Sequence, residues 1–404
     1  MRPRNHSRTG VLERAAGLGS ALAAVLIFQF VFIGPLQARE GPAVGEAPQE
    51  AETTFVAHPK DVRVQSWVEG LEAPWSLVFL SRQRALVSER SGRIRLIMEG
   101  ELAAEPYARI DAAGIGEGGL LGLAAHPGFP EPPLIYAMYT HRNDGELFNR
   151  VQRFRDTGQG LEPGRIVLDR IPGARYHNGG RIGFGPDGKL YVTAGENFQA
   201  EMAQDRDNPA GSILRVAPDG SIPADNPFPD SPIWSYGHRN PQGLAWHPQT
   251  GDLFASEHGP SGEFGLQGHD MVNVIRKGRN YGWPEEIGAA GLEAYADPLV
   301  LWKETTPPSG MAFWRGDLYV ATLRSEALMR IGLEREAGSY RVRRIQGLFA
   351  SKRGSGVFGR LRTAVAGPDG ALYVLTSNRD GRGEPSEGDD RILRITPAEK
   401  ASEP

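Results

Sequence analysis

From about residue 84 the chain repeats one short pattern of polar and apolar positions. A turn containing glycine leads into an apolar run, and a polar or charged residue closes it. The pattern reads RALVSERSGRIRLI from Arg84, PLIYAMYTH from Pro133 and PDGKLYVTAGE from Pro186. It returns as TGDLFASEHG from Thr250, RGDLYVATLRS from Arg315 and PDGALYVLTSN from Pro368. The leucine near the start of each run gives six anchors: Leu86, Leu134, Leu190, Leu253, Leu318 and Leu372, at intervals of 48, 56, 63, 65 and 54 residues. Each run alternates or stays apolar for four to six residues, the length of a buried strand. Asp-Gly and Gly-Asp pairs supply the positive-φ positions that hairpin turns need. Six such units, each long enough for several strands, predict an all-β six-bladed propeller of four-stranded antiparallel blades. Two β-sandwiches are disfavoured, because no linker interrupts the anchors. In a propeller, function sits in the loops around one axial end.

Composition agrees with frequent turning. Glycine and proline, 52 and 31 of 404 residues, make up about a fifth of the chain, against roughly 12% in average usage. A hydrophobic content of 40% is enough to build a sizeable core. Cysteine is absent, which excludes disulfides, thiol nucleophiles, cysteine-ligated zinc, iron–sulfur clusters and covalent c-type haem. Demanding chemistry must then use histidine, carboxylates, hydroxyls or a borrowed cofactor.

The N-terminus reads as a targeting segment. Arg2, Arg4, Arg8 and Arg14 precede an uncharged stretch, Ala15–Ala38, whose densest part is ALAAVLIFQFVFI. A basic region, an apolar region and a small-residue end at Ala38 predict a signal peptide over 1–38, hence a periplasmic or secreted protein. The alternative is an uncleaved N-terminal anchor, the one route to membrane contact. Losing 1–38 removes four basic residues and one acidic one and moves the formal charge from −4 to −7. Such a mildly acidic protein is a poor nucleic-acid binder. Residues 39–60 are expected to be a flexible spacer, 61–398 the propeller and 399–404 a tail.

Several segments carry candidate chemistry. Gly114-Ile-Gly116-Glu117-Gly-Gly119 matches G-x-G-x-x-G but does not join a strand to a helix, so it is no dinucleotide fingerprint. In Tyr176-His177-Asn178-Gly179-Gly180-Arg181, two glycines let the backbone pass close to a neighbour. There a neutral His177 could take a proton from a substrate hydroxyl. Gly237-His238-Arg239-Asn240-Pro241-Gln242-Gly243 packs polar side chains into a turn suited to an anion or a carbonyl. Ser256-Glu257-His258-Gly259-Pro260 offers backbone carbonyls for a hard cation. Arg324, Arg360 and Arg362 form a scattered cationic set, with Arg360 and Arg362 on one face of an extended segment. Each segment alone also fits an ordinary turn or surface role.

Taken together, the segments resemble the pyrroloquinoline-quinone (PQQ)-dependent soluble glucose dehydrogenases and aldose sugar dehydrogenases. The resemblance runs from about Leu71 to Ile395. It rests on GEGGLLGLAAHPGF, HNGGRIGFGPDGKLYVTAGE, SYGHRNPQGLAWHP, SEHGP, NYGWP and LRTAVAGPDG, in the family's order. It implies a six-bladed propeller that oxidises aldoses at the C1 hydroxyl to lactones, using PQQ and calcium and passing electrons to an external acceptor. His177 would be the general base. Arg239, Asn240, Gln242 and Glu117 would lie against the quinone, with Arg239 polarising its reactive carbonyl. Arg324, Arg360 and Arg362 would pair its carboxylates, and Gly259 and Pro260 would hold calcium. Departures are visible. The glucose enzymes carry Gln where Glu117 stands, Asp where Tyr176 stands and Lys where Arg324 stands. An Asp-Glu pair that serves a second, structural calcium is here Asp270-Met271. Two other readings stay open: a calcium-dependent lactonase or other hydrolase, and a binding propeller without the cofactor.

Overall fold

The computed structural model describes residues 41–46 and 52–398. The expected signal or anchor (1–38) and the tail (399–404) lie outside the described residues. Among those described, no α-helix forms, and none is long and apolar enough to cross a membrane. Six antiparallel sheets follow one another along the chain. The first comprises Pro74–Phe79, Arg84–Glu89, Arg93–Met98 and Glu101–Leu102, and Ala108–Arg109 also pairs with its third strand. The second comprises Leu120–Ala125, Leu134–Asn143, Glu146–Asp156 and Leu161–Pro172. The third comprises Ile182–Phe184, Leu190–Ala194, Ser212–Val216 and Ile233–Tyr236. The fourth comprises Pro241–Trp246, Leu253–Glu257, Asp270–Ile275 and Val300–Trp302. The fifth comprises Pro308–Trp314, Asp317–Thr322, Leu328–Glu336 and Ser339–Leu348. Leu361–Ala366, Leu372–Thr376 and Ile392–Pro397 form the sixth, whose outer strand is Val62–Val68 from the start of the domain. The propeller is therefore closed by pairing its two ends.

All six leucine anchors fall on the second strand of a blade. The turn chemistry explains the repetition. In the Pro-Asp-Gly turns at 186 and 368, the aspartate accepts the backbone N–H two residues on: Lys189 to Asp187 at 3.1 Å, and Ala371 to Asp369 at 3.2 Å. The same carboxylates accept the hydroxyls of Tyr191 and Tyr373, both at 3.0 Å, and bond Arg215 and Arg394 on the third strands. One local sequence thus ties three consecutive strands together at the same place in two blades.

The apolar residues gather between the blades. One cluster joins the first and second blades through Leu86, Ile94, Leu120 and Ile135. Equivalent clusters fill the other five junctions, including Val87, Leu77, Leu375 and Ile392 where the sixth blade meets the first. Each blade is buried on both faces, which is why its inner strands read as continuous apolar runs rather than strict alternation.

The stretch 39–60 departs from the expected spacer. Thr53–Val56 adds a parallel fifth strand to the fifth blade, and Ala43–Val44 pairs with Glu286–Ile287. Phe55 is the reason for the first. A Cβ on Gly347 would lie 2.6 Å from the Phe55 ring, so the glycine makes room for it. Trp302 Nε1 also donates to Thr53 Oγ1 at 3.2 Å.

Candidate active site

A cavity of about 400 Å³ opens among the loops that lead into the blades. Glu117, Tyr176, His177, His258 and Pro260 line one part, and Arg324, Arg360 and Arg382 another. A narrow extension beside it is lined by Trp75, Arg90, Gln242 and Arg362. The sequence candidates therefore converge, with three exceptions. Arg239, Asn240 and Gly259 lie behind the lining.

His177 sits at φ 56°, in the left-handed region, which a residue with a Cβ rarely adopts. Gly179 follows at φ 63°, and a Cβ there would lie 2.5 Å from the Thr193 carbonyl. The glycines let the loop fold down onto its own blade and hold the imidazole at the cavity. Its Nδ1 lies 2.8 Å from Glu196 Oε1. A carboxylate only accepts, so Nδ1 carries a proton, and in the neutral imidazole the lone pair is then on Nε2. Glu196 also accepts the Phe198 N–H, and the Phe198 ring lies 4.7 Å from the imidazole. Glu117 Oε2 accepts the His177 backbone N–H at 3.2 Å. Sequence reasoning missed Glu196. Its signal was the matching spacing of His177 and Glu196 with His238 and Glu257, 19 residues in each case.

That second pair belongs to the Arg239–Asn240 turn. His238 Nδ1 lies 2.8 Å from Glu257, and its Nε2 lies 2.9 Å from Ser235 Oγ. The order Ser–His–Glu matches a hydrolase triad, but Ser235 and His238 are completely buried. The group instead anchors the turn, since Glu257 also accepts the Arg239 backbone N–H. Asn240 Oδ1 accepts the Gly179 N–H at 3.0 Å, which locks this turn to the His177 loop.

The cationic side is denser than the sequence suggested. Arg360 bonds Asp380 at 2.9 Å, and Arg362 approaches the same carboxylate at 3.7 Å. Burial raises the Asp380 pKa, but the two guanidiniums outweigh it and hold the carboxyl below its usual range. Arg382 bonds Glu117 at 2.7 Å. Burial likewise opposes ionisation of Glu117, and the neighbouring charge of Arg382 leads in overcoming it, so the carboxyl stays below its usual range. Arg362 donates to Gln242 Oε1 at 2.8 Å, and burial lowers its pKa to about 10, still charged at neutral pH. Arg324 is exposed at the rim. Arg90, Arg324, Arg360, Arg362 and Arg382 thus face Glu117, Asp270 and Asp380, a surplus of two positive charges. Arg90, Asp380 and Arg382 were not among the sequence candidates, because nothing local marks them.

Gly259 donates its N–H to Asp270 at 3.0 Å, and a Cβ there would lie 2.1 Å from the Gly268 carbonyl and 2.4 Å from that of His269. The turn is therefore close-packed and rich in carbonyl oxygen. Burial drives the neighbouring His258 imidazole down to about 3, against the pull of Glu117 and with help from Arg239 and Arg362, so it stays neutral. Its Nε2 is buried without a partner, as are Arg239 Nη1, Asn240 Nδ2 and Arg362 Nε. His177, Glu196 and Glu263 bring ligand atoms within 4.8 Å of one another. Their charges are already committed: Glu196 holds His177, and Glu263 holds Arg239.

The fold and site define a six-bladed propeller with a cationic, histidine-bearing axial pocket. A family description of glucose/sorbosone dehydrogenases matches residues 71–393, and the chain belongs to that family. It is 32% identical to the aldose sugar dehydrogenase of Escherichia coli K12 over 377 residues, covering 84% of this chain and 94% of that one. A Thermus thermophilus structure described as an oxidoreductase (glucose dehydrogenase) is 51% identical, with a TM-score of 0.78, over 83% of this chain and all of that one. The PQQ-bound aldose sugar dehydrogenase of Streptomyces coelicolor is 36% identical, with a TM-score of 0.73, over 84% of this chain and 99% of that one. Membership makes the protein an oxidoreductase of the sugar dehydrogenase type.

Proposed function

We propose that the protein is an exported PQQ-dependent dehydrogenase that oxidises aldoses at the C1 hydroxyl to lactones and hands the electrons to an external acceptor. The observation that carries this reading is the pocket's charge. A surplus of two guanidiniums, with further buried donors on Arg239, Asn240 and Arg362 left without partners, suits a planar tricarboxylate bearing carbonyl oxygens. A hydrolase acting on neutral sugars would not need that surplus, and the Ser235 triad is sealed from solvent. The PQQ-bound relative supports the same reading.

In this reading Arg360, Arg362, Arg324 and Arg382 hold the cofactor's carboxylates, and Asn240 and His258 donate to its oxygens. When bound, the quinone supplies a hydride acceptor. The Gly259–Pro260 turn fits calcium by its oxygen chemistry; both residues would bind it through their carbonyls, and the ion would supply Lewis acidity. His177 Nε2 takes the proton of the C1 hydroxyl. Glu196 keeps the imidazole in that tautomer and stabilises the cation it becomes. Tyr176 and Phe198, in contact at 5.8 Å, form an apolar wall beside it. The test is to add PQQ and calcium to purified protein and follow dye reduction with a panel of aldoses. Absence of both quinone binding and dye reduction overturns the proposal.

A further inference from the structure

Arg239 and Glu263 meet behind the cavity lining. Glu263 Oε1 accepts from Arg239 Nη2 at 2.5 Å and from Nε at 3.2 Å. The arginine side chain is 2% exposed and the glutamate 25%, so the pair joins a buried guanidinium to a carboxylate that reaches solvent. Arg239 Nη1 is buried without a partner, and so is Nδ2 of the adjacent Asn240. Two faces of one donor set thus differ: one is taken by Glu263, and the other is unsatisfied, which is costly at such depth.

Glu263 is lightly held from its own side. Beyond Arg239, its side-chain carboxylate accepts the Ser261 N–H, at 2.6 Å, from two residues back in its own loop. It stands on a short segment with glycines at 262, 265 and 268, all at positive φ. That segment closes on itself, through the Gly262 N–H to the Leu266 carbonyl at 2.8 Å and a bridge between Ser261 and Gln267. Its tip, Phe264, is 53% exposed and touches Trp283. No ladder strand of a blade runs through it, so it can change seat without breaking one.

Charge makes the seat conditional. Glu263 also lies beside Glu196 and His177, with ligand atoms of all three within 4.8 Å. Two carboxylates at that distance repel, and Arg239 offsets the repulsion. A cofactor oxygen at Arg239 would find Nη1 free, and a closer, two-pronged contact with that guanidinium would need the Nη2 donor that Glu263 holds.

We propose that Glu263 is a displaceable counter-ion, which competes with the anionic cofactor for Arg239 and swings aside with its loop when the cofactor takes that guanidinium. This rests on the quinone reading above. Cofactor affinity is then set against an internal competitor, and loading is coupled to movement of the loop tip that carries Glu263 and Phe264.

The experiment measures PQQ binding by tryptophan fluorescence quenching in wild type, Glu263→Gln and Glu263→Ala. Thermal unfolding of each is followed with and without saturating PQQ. Both variants should bind PQQ at least about fivefold more tightly. They should melt lower than wild type without PQQ and level with it when loaded, because the lost ion pair then matters only in the unloaded protein. Equal affinity, with the same loss of stability in both states, would mean Glu263 stays on Arg239 throughout, and the proposal falls. Weaker binding by Glu263→Gln also overturns it. If wild type and variants alike fail to quench, the quinone reading falls and takes this one with it. If wild type binds and the variants merely match it, only the counter-ion role is lost.

Discussion

His177 Nδ1 donates to Glu196 across 2.8 Å, and this one bond decides which imidazole nitrogen faces the cavity. Glu196→Gln keeps the shape but lets the amide present either a donor or an acceptor. Its kcat in dye reduction should fall by about 10–100-fold, with PQQ affinity within about twofold of wild type. His177→Ala should abolish turnover while still binding PQQ. Loss of cofactor binding in that variant would remove the proton-acceptor role.

Asp380 lies between Arg360 and Arg362, and it restrains both. Asp380→Asn should raise PQQ affinity by unmasking their charge. It should also lower the melting temperature of the unloaded protein, since two buried guanidiniums then repel without a counter-ion. Arg362→Met should act oppositely on affinity, weakening it by about tenfold or more. Fluorescence titration reads both, and a tighter-binding Arg362→Met would contradict the assignment.

Ser235 distinguishes a structural triad from a catalytic one. Ser235→Ala leaves His238 Nε2 without its partner and should cost about 1–3 kcal/mol of stability, measured by urea unfolding. Turnover per folded molecule should hold. Complete loss of turnover in folded protein would reopen the hydrolase reading.

Asp156 supplies a pH dependence. Burial raises its pKa, but hydrogen bonds from Arg84 and Tyr107 outweigh burial and depress the carboxyl below its ordinary value. The bonds are 2.6 Å from Arg84 and 2.5 Å from the tyrosine hydroxyl. A depressed carboxyl stabilises the fold above its unfolded pKa of about 3.9, and the contribution disappears as pH falls through the lower folded value. The stability gap between wild type and Asp156→Asn should therefore be constant from about pH 5 to 8 and close below about pH 4. A gap that widened in acid would reverse the sign.

The ring closure makes a prediction about length. A chain starting at residue 59 loses Thr53–Val56, an added edge strand, and should still unfold cooperatively with a modestly lower melting temperature. A chain starting at residue 70 loses Val62–Val68, which pairs with Ile392–Pro397, and should not fold to a closed propeller. Circular dichroism during heating separates the two.

The blade count was legible because it is written locally. A strand and its turn lie within about ten residues, so the Pro-Asp-Gly turns and apolar runs announce themselves wherever they occur. The same holds for His177, Pro260 and the arginines of Phe358-Gly-Arg360-Leu-Arg362, whose unusual neighbours mark them. The spacer expectation failed at Thr53–Val56 because four residues of β-type sequence gain their strand only from Ser339–Leu348, almost 300 positions away.

The site's electrostatics belong to the tertiary structure alone. Glu117 meets Arg382 across 265 positions, and Arg362 meets Gln242 across 120. Glu263, 24 residues from Arg239, reaches it only because the fourth blade turns the chain back. By itself the sequence determined a six-fold repeat, a cysteine-free chemistry and His177 as the candidate base. Only the folded ring decided which carboxylates temper which guanidiniums, because Coulomb energy depends on distance through space and burial, and neither is encoded by separation along the chain.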